Sequence, residues 1–283
     1  MARCASDALR EAAVQLRQVG IDSPVVDAQL MMAKALNTSR VEVIMHPERE
    51  LTDAESKAFN EMVEKRAARC PVAYITGVKE FYGIRLVVSE DVLVPRPETE
   101  LLVDECASRI RRKHCCIADI GTGSGAVALA IAAKLEHARI YATDSSQSAL
   151  QVAATNIQNQ NVADRVIIRD GNLAEPLLDL ESQFDAVVSN PPYIPTRRID
   201  LLEPEVRIYE PRQALDGGED GLDAYRRLLP GAYTLLRNKG FVACEIGQGQ
   251  SEEVSRIARE SGFDQIDIVR DLASIERVVI ARK

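Results

Sequence analysis

A buried strand that runs into a glycine-rich turn and then an apolar helix constrains this chain most. Cys116-Ile-Ala-Asp-Ile120 is a short apolar run, Gly121-Thr-Gly123-Ser-Gly125 follows it, and Ala126 to Leu135 is apolar and helix-forming. Glycines at a strand-to-helix turn let a ligand approach the main chain closely. A second strand, Ala138 to Thr143, ends in Asp144. An acidic residue about 20 positions beyond the glycines is placed to bind ribose hydroxyls. The pattern then repeats: strands are expected near 116–120, 139–143, 165–169, 184–189, 240–246, 264–269 and 275–281, and helices near 125–135, 146–159, 221–237 and 250–261. Such alternation predicts an α/β fold with a doubly wound parallel sheet. The last two strands are close enough for a hairpin, so an antiparallel edge is expected.

Residues 1–78 read differently. Ala8-Leu9, Ala12-Ala13, Leu16 and Val19 recur at helical spacing, and Gly20 stops the run. Ser23-Pro24 suits an N-cap and first helical position. Thr52 and Glu55 have the spacing of a capping box. This stretch is expected to be a small all-helical domain. Residues 79–97 are expected to link it to the larger domain, 98–283. Within the linker, Phe81–Val88 and Val92–Val94 read as a hairpin turning at Ser89-Glu-Asp91.

The chemistry is written most clearly after the strand Phe184–Ser189, in Asn190-Pro191-Pro192-Tyr193. Two prolines in succession remove two N–H donors and stiffen the turn. Carbonyl oxygens are left that no sheet ladder can use. Asn190 adds a side-chain acceptor and Tyr193 a flat π face. That combination suits a planar –NH2 group, with acceptors on its hydrogens and a ring over its face. The glycine loop also fits the loose dinucleotide spacing Gly121-x-Gly123-x-x-Ala126, so by itself it does not separate NAD from S-adenosylmethionine. The Asn-Pro-Pro-Tyr turn separates them, because hydride transfer has no use for a clamp on an amino group.

Composition narrows the classes further. A net charge of −8 argues against a protein whose affinity comes mainly from phosphate contacts. An adenine N6-methyltransferase acting on DNA or RNA uses the same amino-group chemistry but needs a basic groove. A catalytically silent binding module and an NAD-dependent oxidoreductase are the weaker alternatives. The six cysteines include no C-x-x-C pair and the three histidines are scattered, so no metal site is expected and a reduced, cytoplasmic protein is. No apolar run reaches membrane-spanning length, and no membrane partner is expected. The polar, proline-bearing stretch from Ile194 to Gly221 reads as a flap that shapes the acceptor pocket.

Phe81-Tyr-Gly83, Arg96-Pro-Glu-Thr-Glu100, Asp119-x-Gly-Thr-Gly-x-Gly125, Asn190-Pro-Pro-Tyr193, and Glu210-Pro211 through Ala214-Leu215 to Asp220-Gly-Leu222 stand in this order. From about Tyr74 to the C-terminus the chain resembles the peptide chain release factor glutamine N5-methyltransferases of the PrmC/HemK type. The resemblance implies a seven-stranded S-adenosylmethionine-dependent methyltransferase sheet. It implies S-adenosylmethionine as cofactor and the glutamine of the GGQ motif in peptide chain release factors as substrate. Gly121, Thr122, Gly123, Ser124 and Gly125 would approach the amino-acid part of the cofactor, and Asp144 would hold its ribose. Asn190 would lie beside the donor methyl, and Asn190, Pro191, Pro192 and Tyr193 would bind the glutamine amide. Where the family often has an acidic residue and then a bulky apolar or aromatic one near the adenine, this chain has Asn172-Leu173. Asn172 can still accept a hydrogen bond from the adenine amino group, and Leu173 can pack on the ring without stacking. The helical domain would dock the substrate protein away from the GGQ loop, with no direct nucleic-acid contact.

Overall fold

The computed structural model describes residues 4–283, which divide into two compact units. The first runs to Val78 and also takes in Glu203–Tyr209; the second comprises Lys79–Leu202 and Glu210–Lys283.

Five helices make up most of the first unit: α1 (Ala5–Gln18), α2 (Pro24–Ala35), α3 (Arg40–Met45), α4 (Asp53–Ala67) and α5 (Val72–Thr76). Their shared core includes Leu16, Met31, Met32 and Phe59, all fully buried. The expected capping box is formed: Thr52 Oγ1 accepts from the Glu55 N–H, and Glu55 accepts from the Thr52 N–H. Pro24 does take the first position of α2, but the Ser23 side chain makes no capping bond. Arg66 of α4 is buried and donates to Asp27 at 2.7 Å and to Glu205 at 3.0 Å. A guanidinium removed from water needs such partners. This ion cluster draws residues 203–209 into the helical unit, although the sequence places them within one continuous flap.

The second unit opens on a hairpin of β1 (Val78–Phe81) and β2 (Ile84–Val87). It turns at Tyr82-Gly83 and not at residues 89–91. Both turn residues have positive φ, +53° and +71°, which matches the twist of a two-residue hairpin connection. Val92 and Val94 are buried but belong to no strand. Then come α6 (Glu100–Arg109), β3 (Cys116–Ile120), α7 (Ala126–Lys134), β4 (Arg139–Asp144), α8 (Gln147–Asn159), β5 (Val166–Asp170) and β6 (Phe184–Ser189). Two short helices follow, α9 (Thr196–Ile199) and α10 (Pro204–Tyr209), the latter within the first unit. The chain ends with α11 (Asp223–Leu235), β7 (Leu236–Glu245), α12 (Ser251–Glu260), β8 (Gln265–Arg270) and β9 (Glu276–Arg282).

One seven-stranded sheet has the order β5-β4-β3-β6-β7-β9-β8. It is parallel from β5 to β7, and β9 is antiparallel to both of its neighbours. The antiparallel strand is thus inserted inside the edge. Val278 to Ala281 are buried, whereas Gln265, Asp267 and Arg270 of β8 are exposed, so β9 takes the covered position and β8 the rim. β7 starts four residues before its expected place. Its pairing with β6 skips from Leu236 to Phe241, and Lys239 takes a positive φ there, so the polar Arg237-Asn-Lys239 bulges out of the ladder. Alternate residues of the central strands serve two separate cores: Ile117 and Val188 on one face, Ala118 and Val187 on the other. Covering both faces leaves the carboxyl ends of the strands as the open place. Strand order reverses at β3, between β4 and β6, and ligands bind at such a switch point. Among the described residues no helix is long and apolar enough to cross a membrane.

Candidate active site

The glycine turn after β3 and the Asn-Pro-Pro-Tyr turn after β6 lie side by side at this switch point. The Ser189 hydroxyl ties the two strand ends together by donating to the Ile120 carbonyl at 2.7 Å. Both turns line a cavity of about 410 Å³, within the usual range for small-molecule sites.

Gly121 and Gly123 have φ of +74° and +54°, and a Cβ added at either would meet no protein atom within 4 Å. Positive φ excludes most side chains there, and any added atom would intrude on the open space. Gly125 has a different task. It lies off the cavity lining, and its φ of +81° begins α7; a Cβ there would only touch Ala153 of α8, at 3.5 Å. Asp144, at the end of β4, accepts from the Gly123 N–H through Oδ2 and from the Ser146 N–H through Oδ1, both at 2.9 Å. Each carboxylate oxygen keeps a further lone pair, so two hydroxyl groups could still be bound. Asn172 and Leu173 also line the cavity. Leu173 has φ of +51°, and its carbonyl accepts from the Thr143 hydroxyl at 3.3 Å.

Beneath the glycine loop, Asp119 is 1% exposed and accepts from the Thr122 hydroxyl at 2.6 Å and the Ala128 N–H at 3.1 Å. Burial pushes its carboxyl up to about 6, against the pull of those two bonds. The folded state therefore holds this proton more tightly than the unfolded chain, whose carboxyl lies near 3.9. The stability contributed is full below pH 4 and is lost as pH rises through 6, up to about 3 kcal/mol. Asp119→Asn is expected to flatten this slope, as read from urea unfolding at pH 4 to 7. Parallel curves for the two proteins would show that Asp119 ionises as freely folded as unfolded.

At the other turn, Asn190 and Pro192 line the cavity, and Pro191 is buried between them, off the lining. Asn190 Nδ2 donates to the Thr99 hydroxyl at 3.2 Å, and Thr99 donates to Glu245 at 2.6 Å. Tyr193 lies off the cavity lining. Its hydroxyl donates to the other oxygen of Glu245 at 3.3 Å. Gly247 leaves room for the ring, since a Cβ there would stand 3.1 Å from Tyr193 Cδ2. Gln250 Nε2 binds the carbonyls of Tyr193 and Gly221. A Cβ on Gly221 would fall 2.4 Å from the Tyr193 carbonyl oxygen, so the Asp-Gly-Leu segment must be glycine at its centre. The flap contributes Pro211, Gln213, Ala214 and Asp216 to the lining. Arg96, also on the lining, donates to the buried Glu210 at 2.7 Å.

The match to known proteins covers both units. A family model described as the PrmC N-terminal domain matches residues 7–77, and one described as the methyltransferase small domain matches residues 96–219. A release factor glutamine methyltransferase of Caulobacter vibrioides is 43% identical over 95% of this chain and 93% of its own length. The protein of that name from Moorella thermoacetica is 42% identical over 97% and 96%. This chain belongs to the release factor glutamine methyltransferase family. The catalytic domain of hMettl16, solved in complex with MAT2A 3'UTR hairpin 6, aligns with a TM-score of 0.59 at 15% identity over 78% of this chain and 81% of that one. That likeness is one of fold.

For a member of this family, most of the residues singled out from sequence converge on one cavity: Gly121 to Ser124, Asp144, Asn172, Leu173, Asn190 and Pro192. Thr99 and Glu245 were not singled out. Thr99 lies in the Arg-Pro-Glu-Thr-Glu motif, which carries no role until the fold brings it 91 positions forward to Asn190. Glu245 leaves one local signal, a carboxylate ending the buried apolar run Phe241–Cys244 of a central strand. Burial pushes that carboxyl up and Glu98 adds to the push; the bonds from Thr99 and Tyr193 and the charge of Arg277 oppose it.

Proposed function

We propose that this chain transfers the methyl group of S-adenosylmethionine to the side-chain amide nitrogen of the glutamine in the GGQ motif of peptide chain release factors. The observation that carries this reading is the Asn190 amide. Its nitrogen is occupied by Thr99, which leaves Oδ1 as an acceptor at the cavity wall. The family relationship supports a protein amide over a nucleobase, as does the net charge of −8.

The cofactor fits the residues present. Gly121 and Gly123 leave their Cβ positions open, Asp144 keeps two lone pairs for ribose hydroxyls, and Asn172 offers an acceptor for an amino group. When bound, S-adenosylmethionine supplies an electrophilic methyl on a cationic sulfur. An amide nitrogen is a weak nucleophile because its lone pair is delocalised into the carbonyl. Asn190 Oδ1 accepts one of its N–H bonds at the cavity wall, and the main-chain carbonyl of Pro191, a residue otherwise buried off the lining, is proposed to reach the other and complete its orientation. As positive charge develops on the nitrogen, these fixed dipoles stabilise it without rearranging. One N–H proton is then released through an acceptor oxygen to water, as the N–C bond replaces the S–C bond. Tyr193 acts from behind, bracing Glu245.

Mass spectrometry of a purified release factor incubated with the protein and S-adenosylmethionine tests the reading. One added methyl on the GGQ glutamine is expected. An unmodified glutamine with cofactor bound would send the search to adenine or another protein amide.

A further inference from the structure

The two ends of the Asn190 side-chain amide have nearly the same shape but opposite hydrogen-bonding character, so the surrounding network decides which one faces the cavity. Here the network has a direction. Glu245 is 3% exposed and Thr99 4%. The backbone carbonyl of Glu245 accepts from the buried Tyr225 hydroxyl at 2.7 Å, which fixes the residue at the end of β7. The two hydroxyls that donate to the Glu245 carboxylate and the charge of Arg277 favour its ionised form against the push of burial, and in that form it only accepts. One of its oxygens takes the single Thr99 hydroxyl proton and the other takes that of Tyr193. With its proton committed, Thr99 presents only lone pairs to Asn190, and only the –NH2 end can answer them. A donor in place of the carboxylate would reverse the chain: Thr99 would donate to Oδ1, and the –NH2 would swing to the cavity, N–H against N–H of an incoming amide.

We propose that Glu245 is a positioning residue which, through Thr99, sets the polarity of the Asn190 amide and turns Oδ1 to the substrate. This rests on the reading that the acceptor of the methyl group is an amide nitrogen.

Three variants of the full chain test it: Thr99→Val, which keeps shape and loses the hydroxyl; Thr99→Ser, which keeps the hydroxyl; and Glu245→Gln, which can donate to Thr99. Losing the oriented acceptor is expected to lower kcat for release factor methylation about 100-fold in Thr99→Val and Glu245→Gln. KM for the release factor and affinity for S-adenosylmethionine should stay within about threefold of wild type, and Thr99→Ser should recover most of kcat. A Thr99→Val enzyme near wild-type kcat, or a Thr99→Ser enzyme as slow as Thr99→Val, would overturn the proposal. A second readout needs no reaction. In ¹⁵N-asparagine-labelled protein, the Asn190 side-chain –NH2 resonances, assigned by their loss in Asn190→Ala, should shift and exchange faster in Thr99→Val. Unchanged resonances would also overturn it. If the wild-type enzyme leaves the release factor unmodified, the substrate reading fails, while the resonance comparison still decides the polarity.

Discussion

Asn190→Ala is expected to slow methyl transfer by about 10²–10³-fold, the usual cost of removing one preorganised group that meets developing charge. The variant loses the side-chain oxygen that accepts a substrate N–H, so the amide nitrogen is held by one acceptor instead of two. It also strands the Thr99 hydroxyl oxygen that Asn190 Nδ2 now satisfies. Cofactor affinity should change little, because the glycine loop and Asp144 are held by bonds that do not involve Asn190. Single-turnover methylation compared with equilibrium calorimetry separates the two effects. A normal single-turnover rate would mean that the amide is not oriented by this side chain.

For Asp144→Ala the loss should fall on binding instead. A hydrogen bond to a charged group is worth about 1.5–3 kcal/mol, and each 1.4 kcal/mol is tenfold in affinity. Two ribose bonds therefore predict a rise of at least about 100-fold in the S-adenosylmethionine dissociation constant. The structure adds a reason for the effect to be large. Asp144 also holds the Gly123 and Ser146 N–H groups, so the variant loosens the glycine loop and the approach to α8 together. At saturating cofactor, turnover should largely return. Calorimetric affinity equal to wild type would show that the carboxylate does not meet the ribose.

Local signals carried much of this architecture. Strands such as Cys116–Ile120 and Phe184–Ser189 are nearly continuous apolar runs, because both faces of a parallel sheet are covered. The glycine loop and the double-proline turn were readable because each depends on backbone properties of its own residues. The hairpin turn was misplaced because Tyr82 takes a positive φ that no propensity foretells for tyrosine. The bulge before Phe241 and the insertion of β9 beside β7 depend on pairing between strands far apart in the chain.

The amino-acid sequence alone determined the α/β class, the helical first unit, and the residues that end β3, β4 and β6, since these follow from periodicity and from glycine and proline stereochemistry. Only the tertiary structure decided that Thr99, beside Asn190 on the cavity lining, links it to Glu245, that Tyr193 donates to Glu245 from off the lining, and that residues 203–209 join the helical unit through Arg66. Those contacts join positions 52 to 146 apart, and they form because a buried charge or hydroxyl must find its partner wherever the chain brings one.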